Sequence, residues 1–491
     1  MANPSSSLRI GWAEGDITPE HPVILRGMFY ARVSEGIMDP LSVTGWALES
    51  EEGQAVLVSC DLLSVPEVLR EEVRARLDGQ LPDLDPMNVI ISATHTHTGP
   101  EIYAPSADYP NRGIGIDVGV ELEAMNVNAY ISFAAERIAE VIRKAWNART
   151  PGSLAYGMDY AVVGRNRRWI DEQGRSTMYG LHPEVSHTFR HIEGYEDHSI
   201  NLAATYDCHG KLTGLVVNVP CPSQESETLF VISADWWSEA RQELRQRFGG
   251  ELFILPQCSA AGDLSPFLLY DNAATARMQE LKGQSPREEI AQRIANAVQE
   301  ILPVIAQTAV SSPVLRHHVE TLEVPANRLT EDDVRTARHD VERFRLEYEE
   351  EMRKLEADPS LRSNPRWYVA VTDVYRRMNW HLGVVRRFEL QRETPTIPAE
   401  IHVLRIGDIA FTTVPYEYYL DYGIQIKVRN EGVAVQTFLI QLAGGGTYLP
   451  SQRSLAGGGY GSVPASNPVG PEGGQAIVEH TVGTVGKLFR P

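Results

Sequence analysis

Cysteine is scarce: 491 residues hold only four, Cys60, Cys208, Cys221 and Cys258, far apart and with no CxxC pair. Four is too few to staple a chain of this length, so they read as reduced thiols. Long apolar runs are missing too, none approaching the ~20 residues of a membrane span. The polar stretch Met1 to Gly11 lacks the apolar core and small-residue cleavage site of a secretion signal, so a cytoplasmic protein without a transmembrane segment is expected. Basic charge is in deficit, 45 Lys plus Arg against 65 Asp plus Glu, a net of −20. That balance works against binding a phosphate backbone, and nucleic acid is not an expected partner. There is no internal repeat of fixed period and no clean linker; oligomeric state is not legible.

What is present is a 43% hydrophobic chain with material for a large core, enough for one big catalytic domain or two ordinary ones. Gln54 to Ser59 is a β-rich apolar run, Pro66 to Leu77 carries Leu69, Val73 and Leu77 at helical spacing, and Asn88 to Ala93 is a second apolar run. Strand, helix, strand in that order predicts a βαβ unit. Tyr130 to Trp146 reads as a long amphipathic helix. A second such unit follows, with strands at Gly214 to Val219 and Glu251 to Leu255 around a helix at Trp236 to Phe248. The charged run Thr330 to Glu356 predicts an exposed helix or insertion, capped by Thr330 and Asp333 and without chemistry of its own. The β pattern returns at Ile401 to Val414, and Ala443 to Gly474 is dominated by glycine, serine and proline, as in a flexible loop or one whose backbone approaches a ligand. The expected architecture is α/β, a large single catalytic domain over residues 1–491 with a mixed sheet flanked by helices, and a helical stretch at 330–400 that could be an insertion.

Three segments carry chemistry. In Thr94-His95-Thr96-His97-Thr98-Gly99-Pro100, extended geometry would point His95 and His97 the same way from a strand end, and two imidazoles on one face suit a metal or a metal with an acid/base partner. Two histidines bonded to loop backbone is the plainer reading. Gln257 to Pro266 offers Asp263 and Ser265 on a tight turn, but lacks the glycines of a nucleophile elbow. In Pro415-Tyr416-Glu417-Tyr418 the glutamate is a candidate metal ligand or base, or an arginine-paired residue.

These blocks, with Gly15 to Pro19, Leu25 to Ala31, Val58 to Asp61, Asn166-Arg167 and Ser233-Ala234-Asp235, run in one order along nearly the whole chain. Together they resemble the catalytic domain of the neutral/alkaline, non-lysosomal ceramidases and their bacterial relatives. That resemblance implies a zinc site with His95, Glu417 and Tyr448 as ligands and His97 in the place of a histidine contacting substrate or oxyanion. It further implies Arg167 as the active-site arginine, Tyr460 as the second tyrosine, Ser265 as the serine of the family's hexapeptide and Asp263 as support for its turn. One departure is central: the block that should supply a second zinc histidine reads Val217-Asn218-Val219-Pro220-Cys221-Pro222-Ser223-Gln224-Glu225. Cys221 is the expected substitute, since thiolate binds zinc well; Glu225, His182, His187, His191 or His198, or a site without metal, are the alternatives. Phe267, Met38 and Gly445 depart from the family pattern as well. With the chain ending at Pro491, the family's C-terminal immunoglobulin-like domain is expected to be missing, which makes ceramide at a membrane a doubtful substrate.

The function expected is zinc-dependent hydrolysis of an amide or related acyl bond in a small-molecule or acyl-amide substrate. Arg167, His97 and Tyr460 would stabilise the oxyanion and Ser265 would orient water or substrate. The competitors are a hydrolase or lyase acting on a small polar metabolite, and a metal-free ligand-binding protein on the same scaffold.

Overall fold

A computed structural model describes residues 7–103, 117–178 and 180–490. The first six residues of the polar stretch Met1 to Gly11, and Pro491, lie outside them. Eight strands form a mixed sheet: β1 (Arg9–Asp16), β2 (Ser42–Ser50), β3 (Gly53–Cys60), β4 (Val89–Ala93), β5 (Thr150–Tyr160), β6 (Ser199–Asp207), β7 (Leu212–Val219) and β8 (Phe253–Cys258). Their order is β8-β7-β6-β5-β1-β2-β3-β4.

The two expected βαβ units are its two ends. β3 pairs parallel to β4 across α1 (Glu67–Leu77), and β7 pairs parallel to β8 across α3 (Trp237–Phe248). All five β4 residues are buried, which is why Val89–Ala93 is a continuous apolar run rather than an alternating one. The two units lie at opposite edges of the hydrogen-bonded order, and curling of the sheet brings β8 against β4.

Helices cover the outer face. α2 (Val127–Asn147) buries Tyr130, Ile131, Ala134, Ala135, Ile138 and Ile142, at the three-and-four spacing that predicted it, and packs on β1 and β2. Asn126 caps it by accepting from the amides of Asn128 and Ala129, a contact typically worth ~1 kcal/mol. α4 (Pro286–Ile305) packs beside α3 over the other half of the sheet.

The inner face meets a second sheet, of which the sequence announced only the stretch Ile401 to Val414. β9 (Leu315–Pro325), β10 (Thr396–Ile406), β11 (Ile409–Thr413) and β12 (Gln436–Ile440) lie in that order. An aromatic and aliphatic layer joins the sheets: Trp12 stacks on Trp46 at 5.6 Å, Trp46 meets Phe411 edge-on at 6.0 Å, and Phe411 stacks on Phe438 at 4.3 Å. Two more helices, α7 (Leu420–Arg429) and α8 (Pro471–Leu488), cover the far side of this sheet. The result is four layers, helix, sheet, sheet, helix.

Between β9 and β10 the chain leaves as a helical hairpin, α5 (Glu331–Ala357) and α6 (Val369–Leu390). Thr330 and Asp333 form the expected capping box at its start. α5 is solvated as its charge predicts, whereas α6 turns one face to a cavity. Among the described residues no helix is long and apolar enough to cross a membrane.

Candidate functional site

β4 ends at Ala93, and His95 adopts a left-handed backbone with φ 66°. This corrects the extended-strand picture: a strained turn brings the two imidazoles together, with Nε2 of His95 3.4 Å from Nε2 of His97. Nδ1 of His95 lies 2.7 Å from the carbonyl oxygen of Leu63, so Nδ1 carries the proton and Nε2 faces inward. There it meets Oε2 of Glu417 at 3.3 Å. Burial pushes the Glu417 carboxyl up, but His95 beside it, then Arg167 and His97, more than reverse this and hold it below the usual range.

The orientation of Gln224 settles the state of His97. Arg167 Nη1 donates to Oε1 of Gln224 at 3.0 Å, and since a guanidinium can only donate, the amide nitrogen must face the other way. It donates to Nε2 of His97 at 2.9 Å, which leaves the His97 proton on Nδ1, 3.2 Å from Oε2 of Glu227. Burial lowers the basicity of this imidazole despite Glu227, so it is neutral. Gly27 lies against the ring at φ 110°, where a Cβ would come within 2.6 Å of it.

Arg167 is fully buried and reaches three elements. Besides Gln224 it donates from Nη2 to the carbonyl of Gly262 at 3.0 Å and to the hydroxyl of Tyr448 at 3.2 Å. Asp263 positions it: its carbonyl accepts from the Arg167 amide at 3.0 Å, while its carboxylate takes the Leu420 amide at 2.8 Å and Nδ2 of Asn166 at 3.0 Å. Burial pushes that carboxyl up to about 6 against the pull of the Leu420 amide. Glu417 and Tyr448 are register partners in a short parallel bridge, which sets both side chains from one backbone unit. Gly262 sits so close to that bridge that a Cβ would lie 2.4 Å from the Glu417 carbonyl oxygen.

The glycine-rich segment is an ordered wall. Buried Arg168 forms a two-pronged pair with Glu193 at 2.8 and 2.9 Å and donates to the carbonyls of Tyr460 at 2.9 Å and Gly458 at 2.7 Å. Tyr460 packs edge-on against Tyr448 at 5.3 Å, and with Phe29 and Trp380 completes an aromatic collar. A cavity of about 130 Å³ opens here, lined by His95, His97, Glu417, Tyr448 and Tyr460 together with Arg26, Phe29, Leu63 and, from α6, Asn379, Trp380, Gly383 and Arg387.

Of the residues singled out from sequence, His95, His97, Glu417, Tyr448 and Tyr460 therefore share one cavity, and Arg167 and Asp263 support it from behind. Ser265 is buried outside the lining, pairing with Arg165 in a two-residue bridge and accepting from the Phe267 amide at 3.3 Å. Cys221 is not brought to the cluster either. Its side chain packs in the apolar layer under α3, its Sγ lies 3.4 Å from the Pro222 carbonyl, and burial raises the thiol well above its ordinary value. The chain after Pro220 turns three residues further before facing inward, and Gln224 occupies the inward position. Glu225 and His198 lie outside the cavity lining, and His182, His187 and His191 are exposed. Sequence reasoning missed Gln224, Glu227 and the whole contribution of α6; only the first lay in a block already under scrutiny.

The donors present fit a divalent metal in an open site. Two ligands ~2.0–2.2 Å from a zinc at tetrahedral angles stand about 3.3–3.5 Å apart, which is the His95–Glu417 separation of 3.3 Å. Tyr448 lines the same cavity, its hydroxyl accepting from Nη2 of Arg167 at 3.2 Å. A second set lies elsewhere. His318 and Glu320 on β9 and His480 on α8 are, among the described residues, the one group of at least three His, Cys, Asp or Glu whose ligand atoms all lie within 4.8 Å of one another.

No protein-family profile matches the chain. Neutral ceramidase of Pseudomonas aeruginosa is 25% identical over 223 residues, 44% of this chain and 30% of that protein. The matched stretch thus spans under a third of the relative's length. The crystal structure of the same organism's enzyme superposes with a TM-score of 0.67 at 17% identity, over 98% of this chain and 74% of that one. The chain has the neutral ceramidase fold. A ceramidase complexed with C2 agrees, at a TM-score of 0.66, 17% identity, and 98% and 75% coverage.

Proposed function

We propose that this protein hydrolyses an amide or related acyl bond of a compact acyl-amide substrate, at a divalent metal held by His95, Glu417 and Tyr448, with zinc favoured by the His, Glu and Tyr donors. The observation that carries the reading is the facing pair His95 Nε2 and Glu417 Oε2, 3.3 Å apart in a cavity wall, with the imidazole fixed from behind by Leu63. When bound, the metal would polarise the substrate carbonyl and lower the pKa of a bound water toward ~7.

The chain's own groups would do the rest. Neutral His97, its Nε2 engaged by Gln224 and its Nδ1 next to Glu227, is held in one orientation beside His95, where its ring lines the cavity. Tyr460, held through its carbonyl by Arg168, brings a phenolic group to the cavity wall where charge on a tetrahedral oxygen would develop, while Arg167 holds Tyr448 in its ligand position. Asp263 acts through Arg167 and the start of α7, not on substrate. A covalent route through Ser265 is disfavoured by its place outside the cavity lining.

A cavity of about 130 Å³ is small beside the ~300–1,000 Å³ of drug-sized sites. It suits a short acyl group better than the paired chains of a sphingolipid. A second reading, a ligand-binding protein without metal, is favoured by one observation: the Gln224 oxygen is taken by Arg167, so the second-histidine block supplies no ligand. Metal content of chelator-free protein, measured beside hydrolysis of short N-acyl amides, separates the two. About one metal per chain with turnover supports the hydrolase; protein without metal or turnover that still binds the amides supports the alternative.

A further inference from the structure

Most buried arginines of this acidic chain meet a carboxylate. Arg26 meets Glu101 at 3.0 Å, Arg168 meets Glu193 at 2.8 Å, Arg241 meets Asp61 at 2.8 Å, and Arg287 meets Asp39 at 2.7 Å. Among the described residues Arg387 meets none. It projects from α6, is 9% exposed and lines the cavity, and its hydrogen bonds to the described residues run to backbone carbonyls, from Nη1 to Asn467 at 2.9 Å and from Nη2 to Pro464. Carbonyls orient a guanidinium but do not neutralise it, and a guanidinium has five N–H donors, of which these bonds use two. Burial without a counter-charge pulls this arginine down to about 10. Arg32 is likewise bonded to carbonyls, but it does not line the cavity.

The plainer account of Arg387 is a staple tying α6 to the glycine-rich segment. A staple explains the two carbonyl bonds. It does not explain a charged group on the wall of a ligand cavity, because a neutral glutamine or asparagine also donates to carbonyls without the cost of burying an unpaired cation. Arg26, which also lines the cavity, shares Glu101 with Arg376, so one carboxylate there serves two guanidinium groups. Both features leave the α6 side of the cavity positive in a molecule of net charge −20.

We infer that the substrate carries an oxyanion, a carboxylate or phosphate-type group, that pairs with Arg387 while its acyl portion lies against the Phe29, Trp380 and Tyr460 collar. This rests on the acyl-amide reading of the same cavity and names the substrate class: a short anionic acyl amide, not a neutral lipid amide. An oxyanion accepts the guanidinium N–H groups that the carbonyls leave over, and supplies the missing charge.

The test is calorimetric binding to the unaltered protein of three compounds: a short N-acylglycine, the same compound with its carboxylate capped as a carboxamide, and its phosphonate analogue. At least one charged compound should bind about 10-fold or more tighter than the capped one, and the two charged arms identify the oxyanion. In Arg387→Gln the ratio should fall to about one; Arg387→Lys, which keeps the charge, should retain most of it. Equal affinity for charged and capped compounds, or no binding of either charged compound, overturns the inference without reference to any variant. Hydrolysis separates the two claims. Charge preference lost in Arg387→Gln but no turnover keeps the inference and removes the amidase reading, whereas turnover of the capped compound at an equal kcat/KM does the reverse.

Discussion

Gln224 donates from Nε2 to Nε2 of His97 across 2.9 Å, and its other end is anchored on Arg167. One amide therefore fixes both the tautomer of an imidazole and the aim of a buried guanidinium. Truncating it in Gln224→Ala leaves two buried polar groups without that partner, at a typical cost of ~1–3 kcal/mol each. Thermal unfolding should show the loss, and kcat on an N-acyl amide should fall by roughly 10-fold or more, with KM less affected, since the contact orients groups beside the reacting bond. Unchanged kcat would leave Gln224 as packing.

Metal content separates the residues of the cavity from the cysteine of the core. His95→Ala and Glu417→Gln should each lower bound metal from about one per chain to near zero, by elemental analysis after dialysis against trace zinc. Cys221→Ser should keep its metal and lose stability instead, because a hydroxyl replaces a thiol in an apolar layer. Full metal in His95→Ala, or loss of metal in Cys221→Ser, would reverse the assignment.

Arg168 and Glu193 form a buried ion pair that holds the wall carrying Tyr460. Removing one partner leaves an uncompensated buried charge. Arg168→Met should thus destabilise the fold by ~3–5 kcal/mol in denaturant titrations. The double variant Arg168→Met with Glu193→Leu should recover much of that. Additive losses would mean the pair is not coupled.

Beside Asp263, Glu225 supplies one component of the pH dependence. Burial, then repulsion from Asp235 and Glu227, pushes its carboxyl up to about 7. The folded protein holds this proton more tightly than the unfolded chain, so the contribution to stability is fully present below about 4.5 and is lost as pH rises through about 7. Denaturant stability should carry a downward component on the order of 3 kcal/mol across that window, and Glu225→Gln should remove it. A variant with the same pH slope as the unaltered protein would place the titration elsewhere.

Elements with one or both faces buried were legible in sequence, because three-and-four spacing and continuous apolar runs are direct consequences of burial: β3, β4, β7 and α2 all lie within a few residues of where the pattern put them. That His95 and Glu417 belong to one site was legible through residue type and order along the chain, and the structure brings them to one cavity. Three features were not. The curl of the sheet depends on how strands twist against a second sheet, which no local pattern records. Cys221 and Gln224 differ by three residues in a turn, and spacing cannot say which faces inward. α6 was invisible as a cavity wall because only Gly383, Asn379, Trp380 and Arg387 carry that role, four positions in a helix otherwise spent on packing and solvent.

Gly383 has a meaning that its neighbours lack. It lies within α6 and lines the cavity, and a Cβ built there would meet nothing within 4 Å. Glycine in a helix interior costs roughly 1 kcal/mol relative to alanine, so the helix forgoes stability at a position where no neighbour demands a small residue. On the proposed function, that space is open to substrate. Gly383→Ala should therefore raise the melting temperature while weakening binding of longer acyl groups more than shorter ones, the signature of a volume reserved at the expense of the helix that borders it.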